Sequence, residues 1–241
     1  MNILITGGSS GLGKSIVHKL CSDKKNYVYF TYNNSKENAD KICSLYTNAN
    51  GIKCDFTNNS ELNTFVENLK NLKIDILINN YYSWPKNPLM PGTFLTKNFH
   101  KIDKNIFIEE FENNLIPTII ITQEVIKFFR NNKFGKIITV LSSFLESPTI
   151  GSSVYISNKN YLKGLTKVWG VENKKFNITS NTISPSFMLT AHTSKMDDRL
   201  IDQFKNSSNS KKIMTVEIVA NRISEFLDNG DIINQHDISI Q

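Results

Sequence analysis

Short apolar runs alternate with longer stretches of helical period along most of the chain, and that alternation leaves few folds open. The runs cover residues 2–6, 27–32, 52–55, 74–79, 136–141 and 178–184, and residues 232–240 can supply a last strand. Several are apolar almost throughout, as strands buried on both faces of a parallel sheet must be. Helical patterns fill the gaps at 12–22, 60–69, 108–131, 154–173 and 216–227. Alternation of this kind predicts an α/β fold: a doubly wound parallel sheet with helices on both faces. The 241 residues, 39% of them hydrophobic, can bury a substantial core as one domain spanning 1–241. Two irregular stretches, 81–104 and 189–214, read as long loops, and long loops in a compact domain are usually functional. The second is the expected substrate loop.

Several function classes are disfavoured at once. No apolar run reaches the roughly 18–20 residues of a membrane span. Met1 leads directly into Ile3, Leu4 and Ile5 with no basic segment before them, so a cytoplasmic chain is expected. Cys21, Cys43 and Cys54 have no paired spacing and read as free thiols, and the four histidines show no ligand spacing, so no metal is expected. The formal net charge of +6 is spread along the chain, usually beside Asn or Asp. Nucleic-acid binders concentrate such charge in a stripe with aromatics. An acidic small molecule or an acidic protein partner suits this charge better than a nucleic acid does.

Between the first strand and the first helix lies Thr6-Gly7-Gly8-Ser9-Ser10-Gly11-Leu12-Gly13. Glycines there permit a tight turn and a close approach of backbone to a pyrophosphate. The helix behind them offers free N–H groups and its positive end to the anion. Gly7, Ser9, Ser10, Gly11, Leu12 and Gly13 are therefore candidate cofactor-binding residues. The second strand ends Tyr32-Asn33-Asn34-Ser35-Lys36, with no acid before Glu37. An acid there would take a ribose hydroxyl. Lys36, beside Tyr32 and Asn33, would instead meet a 2′-phosphate. This favours NADP(H), with NAD(H) as the other option. The alternative is that Lys36 merely opens the next helix.

Tyr155 and Lys159 stand four residues apart, on one face of a predicted helix. A free phenol titrates near 10, too high for proton transfer at neutral pH. A neighbouring ammonium would lower that value. Ser142 and Ser143 follow the strand at 136–141, where parallel α/β sheets bind ligands. A serine hydrolase is not indicated, because neither serine sits in a G-x-S-x-G elbow.

Taken together, these residues resemble the short-chain dehydrogenase/reductase family over nearly the whole chain, and among its branches the 3-oxoacyl-acyl-carrier-protein reductases. The resemblance implies a Rossmann-type fold. The glycine-rich turn is similar to the family's coenzyme motif, Asp55 resembles its adenine-contacting acid, and Asn79-Asn80 resembles the start of its NNAG motif. Asn114, Ser142, Tyr155 and Lys159 resemble its catalytic tetrad. Ser142 stands thirteen residues before Tyr155, the usual family spacing, and Ser143 is the alternative. Asn80, Pro185 and Thr190 resemble residues lining the coenzyme, which Tyr155 and Lys159 also approach.

The family implies hydride transfer between nicotinamide and a carbonyl or carbinol carbon. Tyr155 would donate the proton, Ser142 hold the substrate oxygen, Lys159 lower the tyrosine pKa and hold the ribose, and Asn114 carry a water relay. It also implies a homo-oligomer. Three departures stand out: Tyr81 and Tyr82 replace the Ala and Gly of NNAG, Ser186 replaces the glycine after Pro185, and the chain stops at Gln241 without terminal glycines. The leading expectation is an NADPH-dependent carbonyl reductase acting on an acyl group carried by an acyl carrier protein. A sugar or secondary-metabolite enzyme of the same family is the second. A non-catalytic NADP(H) sensor is the third, with Tyr81, Tyr82 and Trp84 free to wall a pocket or to pack as core.

Overall fold

The computed structural model describes residues 1–85, 88, 93–190, 193–207, 213–229 and 233–240. Parts of both expected loops, at 86–87, 89–92, 191–192 and 208–212, lie outside them, as do 230–232 and 241. Seven parallel strands form one sheet in the order β3-β2-β1-β4-β5-β6-β7. They are β1 (Asn2–Ile5), β2 (Tyr27–Tyr32), β3 (Ala49–Lys53), β4 (Ile76–Asn79), β5 (Gly135–Val140), β6 (Ile178–Pro185) and β7 (Asp237–Ile240). Strand order reverses between β1 and β4, which opens a crevice beyond their carboxyl ends.

The central strands β1, β4 and β5 are apolar on both faces because both are covered. Ile3, Ile5, Ile76, Ile78 and Ile138 point into one core with Ile16 and Val17 of α1 (Gly11–Cys21), Ala39 and Ile42 of α2 (Lys36–Leu45) and Val219 and Ile223 of α7 (Val216–Asn229). Leu4, Leu77 and Ile137, one residue out of step, enter a second core with Leu62 and Phe65 of α3 (Asn59–Asn68), Phe129 of α4 (Lys104–Asn132) and Trp169 of α5 (Ser153–Asn173). Side chains alternate along a strand, so one apolar run serves both layers.

The expected architecture is present, with local corrections. β3 starts and ends earlier than its apolar residues suggested, leaving Asp55 just past its end. One helix, α6 (Asp198–Ser207), was not foreseen, and α2 was anticipated only as a helix that Lys36 could open. α2 is mostly polar and buries only Ala39 and Ile42, so few apolar residues mark it. α6 lies within the stretch read as loop and buries Phe204. α4 begins at Lys104 because the Asp103 side chain caps it, accepting from the Asn105 N–H. Pro117 within α4 removes one main-chain bond, to the carbonyl of Asn113, one residue before Asn114. Among the described residues no helix is long and apolar enough to cross a membrane.

Candidate active site

The turn from β1 into α1 forms a cradle that tolerates little besides glycine. Gly7 has φ +69°, in the left-handed region where side chains are strained. A Cβ on Gly13 would lie 2.1 Å from the Gly7 carbonyl oxygen, so α1 can descend onto the turn only without one. Ser10 is the N-cap of α1 but makes no side-chain capping bond, so its hydroxyl leaves the first-turn N–H groups unspent. Free donors at a positive helix end fit a pyrophosphate. The residues present therefore fit a nicotinamide dinucleotide.

The cradle is braced from below. The Gly7 N–H donates to Thr31 Oγ1 at 2.9 Å. Asn80 Nδ2 donates to the carbonyls of Thr6 and Gly7 at 3.0 and 3.1 Å. Its amide nitrogen is thus committed to shaping the cradle. Thr190 stands across from Gly11, where an added Cβ would lie 3.8 Å from the threonine methyl. Its hydroxyl accepts from the Thr193 N–H at 3.2 Å.

At the far end of β2, the Asn33 side chain hydrogen-bonds Asp55. Asp55 also accepts from the N–H and hydroxyl of Thr57 at 2.9 and 2.8 Å. Burial pushes the Asp55 carboxyl upward, but these bonds and the charge of Lys53 outweigh it and hold the pKa below the ordinary value. Tyr32 ends β2, and Lys36 opens α2 with an exposed side chain paired to Asp40 at 2.7 Å. Pro185 ends β6 and is buried, and Ser186 keeps a negative φ, so the lost glycine leaves no backbone strain there.

Beyond β5 the candidates Ser142, Tyr155 and Lys159 come together, and Asn114 reaches them through the segment after β4. Ser142 hydrogen-bonds the Tyr155 hydroxyl and accepts from the Phe144 N–H at 3.3 Å, whereas Ser143 opens a short 3-10 turn. Asn114, buried in α4, accepts the Ser83 N–H at 2.6 Å. Lys159, buried in α5, donates to the Val140 carbonyl at 2.9 Å. Its nitrogen lies 4.8 Å from the centre of the Tyr82 ring and 5.9 Å from that of Tyr155.

The electrostatics run opposite to the expectation that Lys159 lowers the Tyr155 pKa. Burial pushes Tyr155 up to about 12 against the hydrogen bond from Ser142, and it pushes Lys159 down to about 7. Both groups prefer to be neutral, because desolvation penalises each charge more than the pair repays.

The two tyrosines in place of Ala and Gly take different courses. Tyr81 turns to the core and meets Phe56 edge-on at 4.8 Å. Tyr82 turns into the site, edge-on to Tyr155 at 5.1 Å. Phe94 stacks on Tyr155 at 4.1 Å and 22°. Phe94, Phe144, Phe187 and Phe204, with Trp84 packed against them, make an apolar wall around Tyr155. Sequence reasoning missed Phe94, Phe204, Ser83, Glu110 and Asn158. For Phe94 and Phe204 the available signal was an aromatic residue within each of the two stretches read as loops.

The short chain dehydrogenase family model matches residues 1–200. The chain is 28% identical over 232 residues to the 3-oxoacyl-acyl-carrier-protein reductase FabG of Buchnera aphidicola, covering 95% of this chain and 89% of that protein. It is 25% identical over 223 residues to the FabG of Aquifex aeolicus, covering 90% and 86%. Among solved structures, ElxO with NADP bound superposes with a TM-score of 0.84 at 23% identity, covering 99% of this chain and 96% of that one. The last likeness shows the fold.

Proposed function

The chain belongs to the short-chain dehydrogenase family, which binds nicotinamide coenzymes, and is an oxidoreductase acting on hydroxyl or carbonyl groups; from that premise we propose that it reduces an apolar ketone with NADPH, with Tyr155 as the proton donor. The hydrogen bond between Ser142 and Tyr155 carries this reading, since it sets a donor pair beyond β5, at the carboxyl edge of the sheet. When bound, the coenzyme supplies the hydride. Ser142 holds the substrate oxygen. Tyr155, neutral at physiological pH, gives its proton to the oxygen as negative charge develops there. Lys159 stands behind it to hold the ribose and return a proton. Asn114 lies further along the same path to solvent. In the cradle, Gly7, Ser9, Ser10, Gly11, Leu12 and Gly13 hold the pyrophosphate, Asp55 and Asn33 meet the adenosine, and Lys36 releases Asp40 to take a 2′-phosphate.

The wall of Phe94, Phe144 and Phe204 favours an apolar group beside the carbonyl over a sugar, whose hydroxyls would find no partners there. A 3-oxoacyl thioester on an acyl carrier protein fits that wall, the charge of +6 and the two FabG relatives. Assembly with further copies is supported by exposed Tyr161, Val168 and Val171 on α5.

The test mixes purified protein with NADPH and a ketone panel that includes a 3-oxoacyl thioester, followed by absorbance. Turnover is expected, and Tyr155→Phe should lower it at least about 100-fold with NADPH binding kept. Full turnover in Tyr155→Phe would sink the reading. Tight NADPH binding with no turnover on any ketone would favour a coenzyme sensor instead.

A further inference from the structure

Glu110 is a buried carboxyl that the reaction just described does not use. It lies on α4, one turn before Asn114, and is 8% exposed. Asn114 Nδ2 donates to its carboxylate Oε2 at 3.0 Å and to its main-chain carbonyl at 3.1 Å. That same carbonyl accepts Asn158 Nδ2 at 3.2 Å, which ties α4 to α5 one residue before Lys159. Each amide then reaches the segment after β4. Asn114 Oδ1 accepts the Ser83 N–H at 2.6 Å, and the Asn158 side chain hydrogen-bonds Tyr82. Glu110 is therefore a hub whose two arms hold Ser83 and Tyr82 against the Tyr155–Lys159 pair.

We propose that Glu110 is a positioning residue for the reaction, its carboxylate selecting the one orientation of the Asn114 amide that holds Ser83 in place. The reason lies in donors and acceptors. A carboxylate only accepts, so it demands the NH2 end of Asn114 and turns Oδ1 towards the Ser83 N–H. A protonated carboxyl carries a donor. It can engage Oδ1 of the flipped amide, which would leave the Asn114 NH2 facing the Ser83 N–H, donor against donor. The Glu110 main-chain carbonyl accepts the NH2 end at every pH, so protonation weakens the selection without breaking the fold.

The group is poised to titrate where this matters. Burial, and next the charge of Glu109, raise the Glu110 pKa to about 7, with the Asn114 bond opposing. The groups facing it are Glu109 on its own helix, the phenols of Tyr81 and Tyr82 after β4, and the amides of Asn114 and Asn158. None of these is a cation. Turnover should accordingly fall as pH drops through about 7. Loss of charge from Lys159 acts in the opposite direction, as pH rises.

This inference rests on the Tyr155 reading, and its test separates the two. Glu110→Gln carries a donor at every pH and so mimics the protonated acid. Its ketone reduction should be flat on the acid side, about tenfold below wild type at pH 8 and equal to it at pH 5.5, with KM for NADPH within twofold. The alkaline limb should persist. A Glu110→Gln enzyme that keeps the wild-type acid limb overturns the proposal. Asn114→Ala provides a second check and should lose the limb even with Glu110 intact; its retention there overturns the proposal equally. If instead Tyr155→Phe keeps full turnover, it is the reaction assignment that fails.

Discussion

Lys159 Nζ lies closer to the centre of the Tyr82 ring, at 4.8 Å, than to that of Tyr155, at 5.9 Å. Tyr82 stands where the family pattern has glycine, so this chain has placed a phenol beside the lysine expected to hold the coenzyme ribose. The contact shields the lysine from water and helps explain its depressed pKa.

Tyr82→Gly should clear that face of Lys159. NADPH should bind at least about fivefold more tightly by fluorescence titration, while thermal stability falls as the edge contact with Tyr155, worth about 0.5–1.5 kcal/mol, is lost. Unchanged or weaker NADPH binding would mean that Tyr82 does not compete for the space.

Lys159 should cost stability. Its folded pKa of about 7 lies below the ordinary 10.5, so the unfolded chain binds the proton more tightly between those values. Stability then rises with pH across that window, and the penalty is complete below it. Lys159→Met should raise the melting temperature by a few degrees at pH 6, on the order of 1 kcal/mol after the bond to Val140 is lost. The gain should vanish near pH 10. A lower melting temperature at pH 6 would refute this.

Lys36 is the predicted determinant of coenzyme choice. It is exposed and held only by Asp40. Lys36→Glu should weaken NADPH binding at least about tenfold and leave NADH within twofold. Equal loss for both coenzymes would exclude a 2′-phosphate contact.

Asp237 ties β7 to α5 through Lys163 at 2.8 Å, and it accepts the Ser184 hydroxyl at 2.7 Å. Burial opposes its charge, but these partners hold its pKa below 3.8. Such a group stabilises above its unfolded pKa and loses the effect as pH falls through the folded one. Asp237→Asn should cost about 1 kcal/mol at pH 7 in urea unfolding. The two proteins should converge as pH falls through the lowered folded pKa of Asp237. A constant difference across pH would point to packing instead of charge.

The sequence by itself determined the architecture and singled out the residues proposed to carry the chemistry. Apolar runs such as Ile3-Leu4-Ile5 can be satisfied only between two helical layers, and Gly7 and Gly13 are required by backbone geometry that any reader of the chain can anticipate. The spacing that pointed to Ser142 over Ser143 agrees with the Ser142–Tyr155 hydrogen bond. α6 stayed hidden because a mostly polar helix offers few apolar residues to mark it, however regularly they are spaced. What only the tertiary structure decided is the state of the site. Tyr81 and Tyr82 are neighbours in the chain, yet one enters the core and the other the site. Phe94 reaches Tyr155 across sixty residues of chain. The charge preferences of Lys159, Tyr155 and Glu110 follow from burial, which depends on every element packed around them and on no single stretch of sequence.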